Sequence, residues 1–167
     1  MAYLLDANVF IQAKRLHYGM DFCPAFWDWL NEQNQAGYVF SIKKVAEELA
    51  AGNDDLSTWA AQMGDEFFLS PDPSMLSALS EVSQWVQGQN YRPAAVSTFL
   101  QDADYYLIAY ALAHQCVVVT HEVPSDGIRQ VKIPNVCIGM QVEYMTPFQM
   151  LRRERARFIL GKIGGQR

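Results

Sequence analysis

Cys116-Val117-Val118-Val119-Thr120 is an unbroken apolar, β-branched run, and it directly follows a stretch of helical periodicity from Asp104 to His114. A strand without polar alternation buries both faces, so it belongs in a parallel sheet covered by helices on each side. The same pattern recurs along the chain. Tyr3-Leu4-Leu5 ends in Asp6 and feeds a helix-compatible stretch from Val9 to Leu16. Cys23, Phe26, Trp27 and Leu30 predict a helix within Asp21–Gln35, and Gly37 stops it before a strand over Tyr38–Ser41. Lys43–Ala51 reads as a helix, and another follows Asp54-Asp55 with Leu56, Trp59 and Met63 on its apolar side. Glu66–Leu69 reads as a strand, Pro71-Asp72-Pro73 opens a helix carrying Met75, Leu76, Leu79, Val82 and Val86, and Gly88–Pro93 reads as a loop. Val136–Ile138 is the expected last strand, before a terminal helix from Thr146-Pro147 to about Leu160. These alternations predict an α/β fold, a three-layer α/β/α sandwich with a central, mainly parallel sheet. One domain over 1–160 and a flexible tail over 161–167 are expected.

Composition narrows the function classes. With 167 residues, half of them apolar, the chain can bury one full core. Its 18 acidic and 13 basic residues give a net charge of -5, which excludes a generally basic nucleic-acid coat. The longest apolar run, Tyr105–Ala113, is nine residues, against the roughly 20 that a membrane helix needs. No basic, signal-like segment opens the chain, so a cytoplasmic protein is expected. Cys23, Cys116 and Cys137 are isolated among apolar neighbours, with no zinc-ligand spacing, and His17, His114 and His121 are dispersed.

Ligands of open parallel sheets bind beyond the carboxyl ends of the strands. Four acids fall there or at the start of a neighbouring helix: Asp6, Glu48, Asp104 and Glu122. Carboxylates gathered on one rim raise each other's pKa unless a cation neutralises them. An all-oxygen donor set favours Mg2+ or Mn2+, the ions of metal-dependent phosphodiester hydrolysis.

The ordered segments Leu4-Leu5-Asp6-Ala7-Asn8-Val9-Phe10, Glu48-Leu49-Ala50-Ala51-Gly52, Asp104 with Ala111-Leu112, and Val119-Thr120-His121-Glu122 resemble the acidic motifs of PIN-domain ribonucleases. The resemblance runs from the first strand to about Phe158. It is nearest to a PIN-like bacterial branch without an assigned function, of which Val-Thr-His-Glu, Val-Lys-Ile-Pro-Asn and a late Phe-x-x-Leu-Arg are typical. It implies a Mg2+- or Mn2+-dependent endoribonuclease acting on RNA, with Asp6, Glu48, Asp104 and Glu122 as metal-binding and catalytic residues. Asn8, Thr120, Ser41 and Asp102 would support them. Glu122 stands where most relatives carry Asp or Asn, and Ser41 is one residue off the commonest spacing. Many such proteins are toxins of toxin–antitoxin pairs, so an antitoxin protein is an implied partner.

Each residue also has a plainer role open to it. Asp6 or Asp102 could cap a helix, and Asp126 in Pro-Ser-Asp-Gly is first a turn residue. Glu47 and Glu48 point about 100° apart on a helix, so only one can face the rim; Leu49 and Gly52 set the register for Glu48. His121 reads as a structural histidine. Trp27, Trp29 and Trp59 read as core; Tyr105, Tyr106 and Tyr110 could stack RNA bases, but on an apolar helix they read first as core or homodimer packing. Six of the 13 basic residues, Arg152, Arg153, Arg155, Arg157, Lys162 and Arg167, form either a solvated face or a positive edge that guides RNA. Two other readings stay open: a catalytically silent PIN-like RNA- or protein-binding module, and a phosphohydrolase on a similar sheet. Asp6-Ala7-Asn8 lacks the second acid of an Asp-x-Asp phosphoryl-transfer motif.

Overall fold

The alternation resolves into five strands in a computed structural model that describes residues 1–161. They are β1 (Tyr3–Leu5), β2 (Val39–Ile42), β3 (Phe68–Leu69), β4 (Val117–Val119) and β5 (Tyr144–Met145). All pair in parallel, in the order β3-β2-β1-β4-β5. The chain therefore builds outward from β1 in one direction, then crosses over and builds in the other from β4. Right-handed crossovers put the helices of the two halves on opposite faces, giving the α/β/α sandwich. The reversal lies between β1 and β4, where Leu5 pairs with Val119.

The first half contributes α1 (Ala7–Gln12), a π-helical turn (Ala13–His17), α2 (Pro24–Gln35), α3 (Lys43–Ala50) and α4 (Asp55–Met63). An aromatic cluster forms this side of the core: Phe10 lies 5.7 Å from Trp59, which lies 5.0 Å from Trp27 and 5.3 Å from Phe67. Trp27 Nε1 donates to the Tyr18 carbonyl at 2.7 Å, so the indole is buried without an orphaned donor. The second half contributes α5 (Met75–Gly88), α6 (Pro93–Gln101), α7 (Ala103–His114), α8 (Ile133–Met140) and α9 (Pro147–Arg153). Val82, Val86, Leu107, Ile108, Ile133 and Val136 are buried there.

Two expected elements differ. Val136–Ile138 is not a strand but part of α8, and the last strand is Tyr144–Met145, paired with Val118 and Val119. A short apolar run suits either state; Pro134 in the first turn, Gln141 in the left-handed conformation at the C-cap, and burial of Ile133, Val136 and Cys137 at helical spacing decide for helix. The terminal helix starts as expected, with a capping box between Thr146 and Gln149, but ends at Arg153. Arg155 takes a φ of 56° and Ala156 N–H returns to the Leu151 carbonyl at 2.9 Å. That turn folds Phe158 back against Tyr18, burying apolar surface that a longer helix would leave in solvent. Residues 162–167, most of the expected tail, with Lys162 and Arg167, lie outside the described residues.

Among the described residues no helix is long and apolar enough to cross a membrane. Gly139 of α8 permits the closest approach to α5: a Cβ there would lie 2.1 Å from Trp85 Cε2. Gly139→Ala is expected to lower stability by about 1–3 kcal/mol in urea unfolding. The cost should shrink in a Trp85→Ala background; equal costs in both backgrounds would show that the α5–α8 contact is not the cause.

Candidate metal centre

Asp6 follows β1 and is only 2% exposed. It occupies the N-cap position of α1 without a side-chain capping bond there, which removes the plainer reading. Its Oδ2 instead accepts from Thr120 Oγ1 at 3.2 Å, across the switch between β1 and β4. The same hydroxyl oxygen accepts from the Glu122 backbone N–H at 3.1 Å, so Thr120 joins the first acid to the segment carrying the fourth. Ser41, fully buried at the end of β2, donates to the Leu5 carbonyl at 2.6 Å and fixes the backbone just before Asp6. Sequence spacing left Ser41 loosely placed; the fold gives it that bond. Asn8 is exposed on the first turn of α1.

Asp104 stands in the first turn of α7, where Asp102 is the N-cap and accepts from Ala103 N–H at 2.7 Å. Burial pushes the Asp104 carboxyl up to about 9, helped by Asp6, Asp102, Glu122 and Glu48 in that order. Asp6 is pushed up to about 7, by burial first and by Glu122 next, against the Thr120 hydrogen bond that favours its charged form. Glu48 is raised by burial and by Asp102, although the residue as a whole is exposed. These mutual effects bring Asp6, Glu48, Asp102, Asp104 and Glu122 into one electrostatic group drawn from four separate segments. Glu47 turns away and lines a groove between α3 and α4 with Ala46, Ala60 and Ser57.

Glu122 also has a structural task. Lys132 at the N-cap of α8 provides no side-chain cap, and Glu122 Oε1 accepts from Ile133 N–H at 3.1 Å in its place. Asp126 lies apart, in a groove with Trp85, Tyr91 and Asn135. His121 packs between His17 (ring centroids 5.6 Å apart) and Phe148 (5.7 Å), and burial followed by His17 lowers its pKa.

Two further features are set by the fold. Arg152 and Arg153 form the last turn of α9; Arg153 Nη1 donates to Glu143 Oε1 at 2.7 Å, and the next residue, Glu154, accepts from the Tyr3 hydroxyl. Glu143 precedes β5 and Tyr3 opens β1, so Arg153 is held at the opposite end of the sheet from the acids. Arg129, with Gln130, Thr98, Asp102 and Asp104, lines a pocket of about 170 Å³. An arginine in a polar loop carries no periodic signal; only its position after the β4 acids hinted at the rim. Asp72, Ser74 and His114 also meet, but Ser74 Oγ and Asp72 Oδ2 both contact His114 Nε2, at 3.2 and 2.7 Å, which is not the relay of a catalytic triad.

The donor chemistry fits a hard divalent cation: desolvated carboxylates that oppose one another's ionisation, without thiolates. As the side chains stand, no three His, Cys, Asp or Glu groups among the described residues are arranged to hold a metal ion, so binding would require the carboxylates to turn inward.

Raised carboxyls mean that the folded chain without metal binds more protons than the unfolded one. Their contribution to stability is complete below the ordinary aspartate value of 3.8 and is lost as pH climbs through about 7 for Asp6 and about 9 for Asp104. In EDTA, the melting temperature of the wild type should therefore fall between pH 5 and pH 9 more steeply than that of Asp104→Asn. Parallel curves would contradict the coupling.

No curated protein and no solved structure matches the chain. A family model does, that of a domain of unknown function, DUF4411, over residues 3–158. The match takes in the whole sheet, the acidic rim and the returning Phe158, and the chain belongs to that family.

Proposed function

We propose that this chain is a metal-dependent endoribonuclease of the PIN type, hydrolysing phosphodiester bonds in RNA. The observation that carries the reading is the buried Asp6 at the strand-order reversal, tied to Thr120 and opposed by carboxylates from three other segments. Asp6, Asp104 and Glu48 would hold Mg2+ or Mn2+, with Glu122 lending the carboxylate oxygen that does not serve α8. Such an ion, when bound, lowers the pKa of water and neutralises charge on a phosphoryl oxygen. Thr120 orients the Asp6 carboxylate, and Ser41 holds the strand end that presents it. Burial around Asp6 and Asp104 keeps the surroundings at low dielectric, which strengthens every charge interaction made there.

A toxin role under an antitoxin protein is what the resemblance to PIN-domain toxins implies, and a cytoplasmic setting is part of the same proposal. One observation favours a silent RNA-binding module instead: Glu122 is engaged by the N-terminus of α8, and the carboxylates stand apart.

The two readings separate in one assay. Purified wild type should cleave a mixed-sequence RNA with Mn2+ and not with EDTA, and Asp104→Asn should remain folded by circular dichroism while losing cleavage. Undiminished cleavage by the variant would remove Asp104 from the site; RNA binding by the wild type without product in any condition would favour the silent module.

A further inference from the structure

The pocket beside Asp104 has a composition that the acids do not account for. Ala95, Phe99 and Val131, all buried, give it an apolar lining. Asp102 and Asp104 border it where α7 begins, and Arg129 and Gln130 border it from the segment after β4. Its volume of about 170 Å³ falls below the roughly 300 Å³ at which sites for whole drug-sized ligands begin. That size suits a single planar heterocycle, with the rest of a nucleotide outside the pocket.

Arg129 is exposed to solvent at the edge of this pocket. It lines a pocket with two carboxylates, yet among the described residues the ion pairs are those of Lys14, His114 and Arg153, and Arg129 forms none. Its segment is nonetheless tied down at both sides. Asn135 accepts from Ser125 N–H at 3.0 Å and donates to the Ser125 carbonyl at 2.8 Å, and Arg92 N–H donates to the Ile128 carbonyl at 2.9 Å. The fold thus holds a solvent-exposed guanidinium, without an ion pair among the described residues, at the edge of a pocket with an apolar floor of Ala95, Phe99 and Val131 and a polar border that includes Asp102 and Asp104. A guanidinium matches phosphate oxygens in two-point geometry, and unpaired bases insert into apolar and aromatic pockets where paired bases cannot.

We propose that this pocket is a base subsite for single-stranded RNA: it takes one unpaired base adjacent to the bond at the acidic rim, and Arg129 holds the phosphate attached to that nucleotide. The inference rests on the ribonuclease reading for the identity of the bond. The pocket's affinity for RNA can be measured without any cleavage.

Two variants test it. Arg129→Gln removes the charge, and Ala94→Trp fills the slot from an exposed position on α6. Thermal melting checks that both remain folded. The probe is a fluorescein-labelled single-stranded RNA decamer, followed by anisotropy in EDTA and by cleavage kinetics in Mn2+, with the duplex of the same sequence as comparison. Each variant is expected to weaken single-strand binding by about tenfold or more and to raise KM to match. Binding of the duplex should weaken less than binding of the single strand in either variant, because a paired base cannot enter the pocket. Single-strand affinity within about twofold of wild type in both folded variants overturns the subsite, and if the wild type still cleaves RNA the ribonuclease reading survives that result. Loss of binding in the variants of a wild type that cleaves nothing keeps the subsite and overturns the ribonuclease reading. A wild type that neither binds nor cleaves the decamer overturns both.

Discussion

Charge repulsion at the end of β1 is the constraint around which the rim is organised. Asp6 is almost wholly removed from water and faces the fields of Glu122 and Glu48. Desolvation and like charge both act against its ionised form, and the Thr120 hydroxyl offsets part of that cost. A fold optimised for stability alone would not bury a carboxyl among others. Proteins depart from local consistency in this way chiefly at sites that bind or react, and the surrounding core makes up the difference.

That compensation is visible on both faces of the sheet. The aromatic cluster of Phe10, Trp27, Trp59 and Phe67 anchors α1 and so the segment directly after Asp6. Leu107 and Ile108 are fully buried on α7 and hold Asp104 through the same helix. Ser41 and Thr120 supply short links between strand ends, where a small shift of backbone would separate the acids. Glu122 serves the acidic group and the N-terminus of α8 at once, which couples the rim to the segment that carries Arg129.

Much of this was legible in the sequence. Acids just after an apolar strand or in the first turn of a helix announce the rim of a parallel sheet, as Asp6 and Asp104 do, and Glu48 lies one turn further into the helix that follows β2. The preference for Glu48 over Glu47 rested on helical register, and the structure turns Glu47 toward α4. Features that depend on tertiary closure were hidden. Val136–Ile138 suits strand or helix until its neighbours decide, and the short β5 carries too few residues to show a period. Nor could the sequence show that α9 starts at the rim and carries Arg153 to the far edge, onto Glu143. Arg129 comes to line a pocket with Asp102 and Asp104 on a segment that Asn135 and Arg92 tie down.

If the acids form the proposed cation site, its occupancy exchanges protons for metal. Titration calorimetry of Mn2+ into the metal-free protein, in two buffers of different protonation enthalpy at about pH 8, measures that exchange directly. With Asp104 still protonated at that pH, the account predicts saturable binding with net proton release, and weaker release from Asp104→Asn. Absence of saturable binding, or identical heats in both buffers, would contradict it.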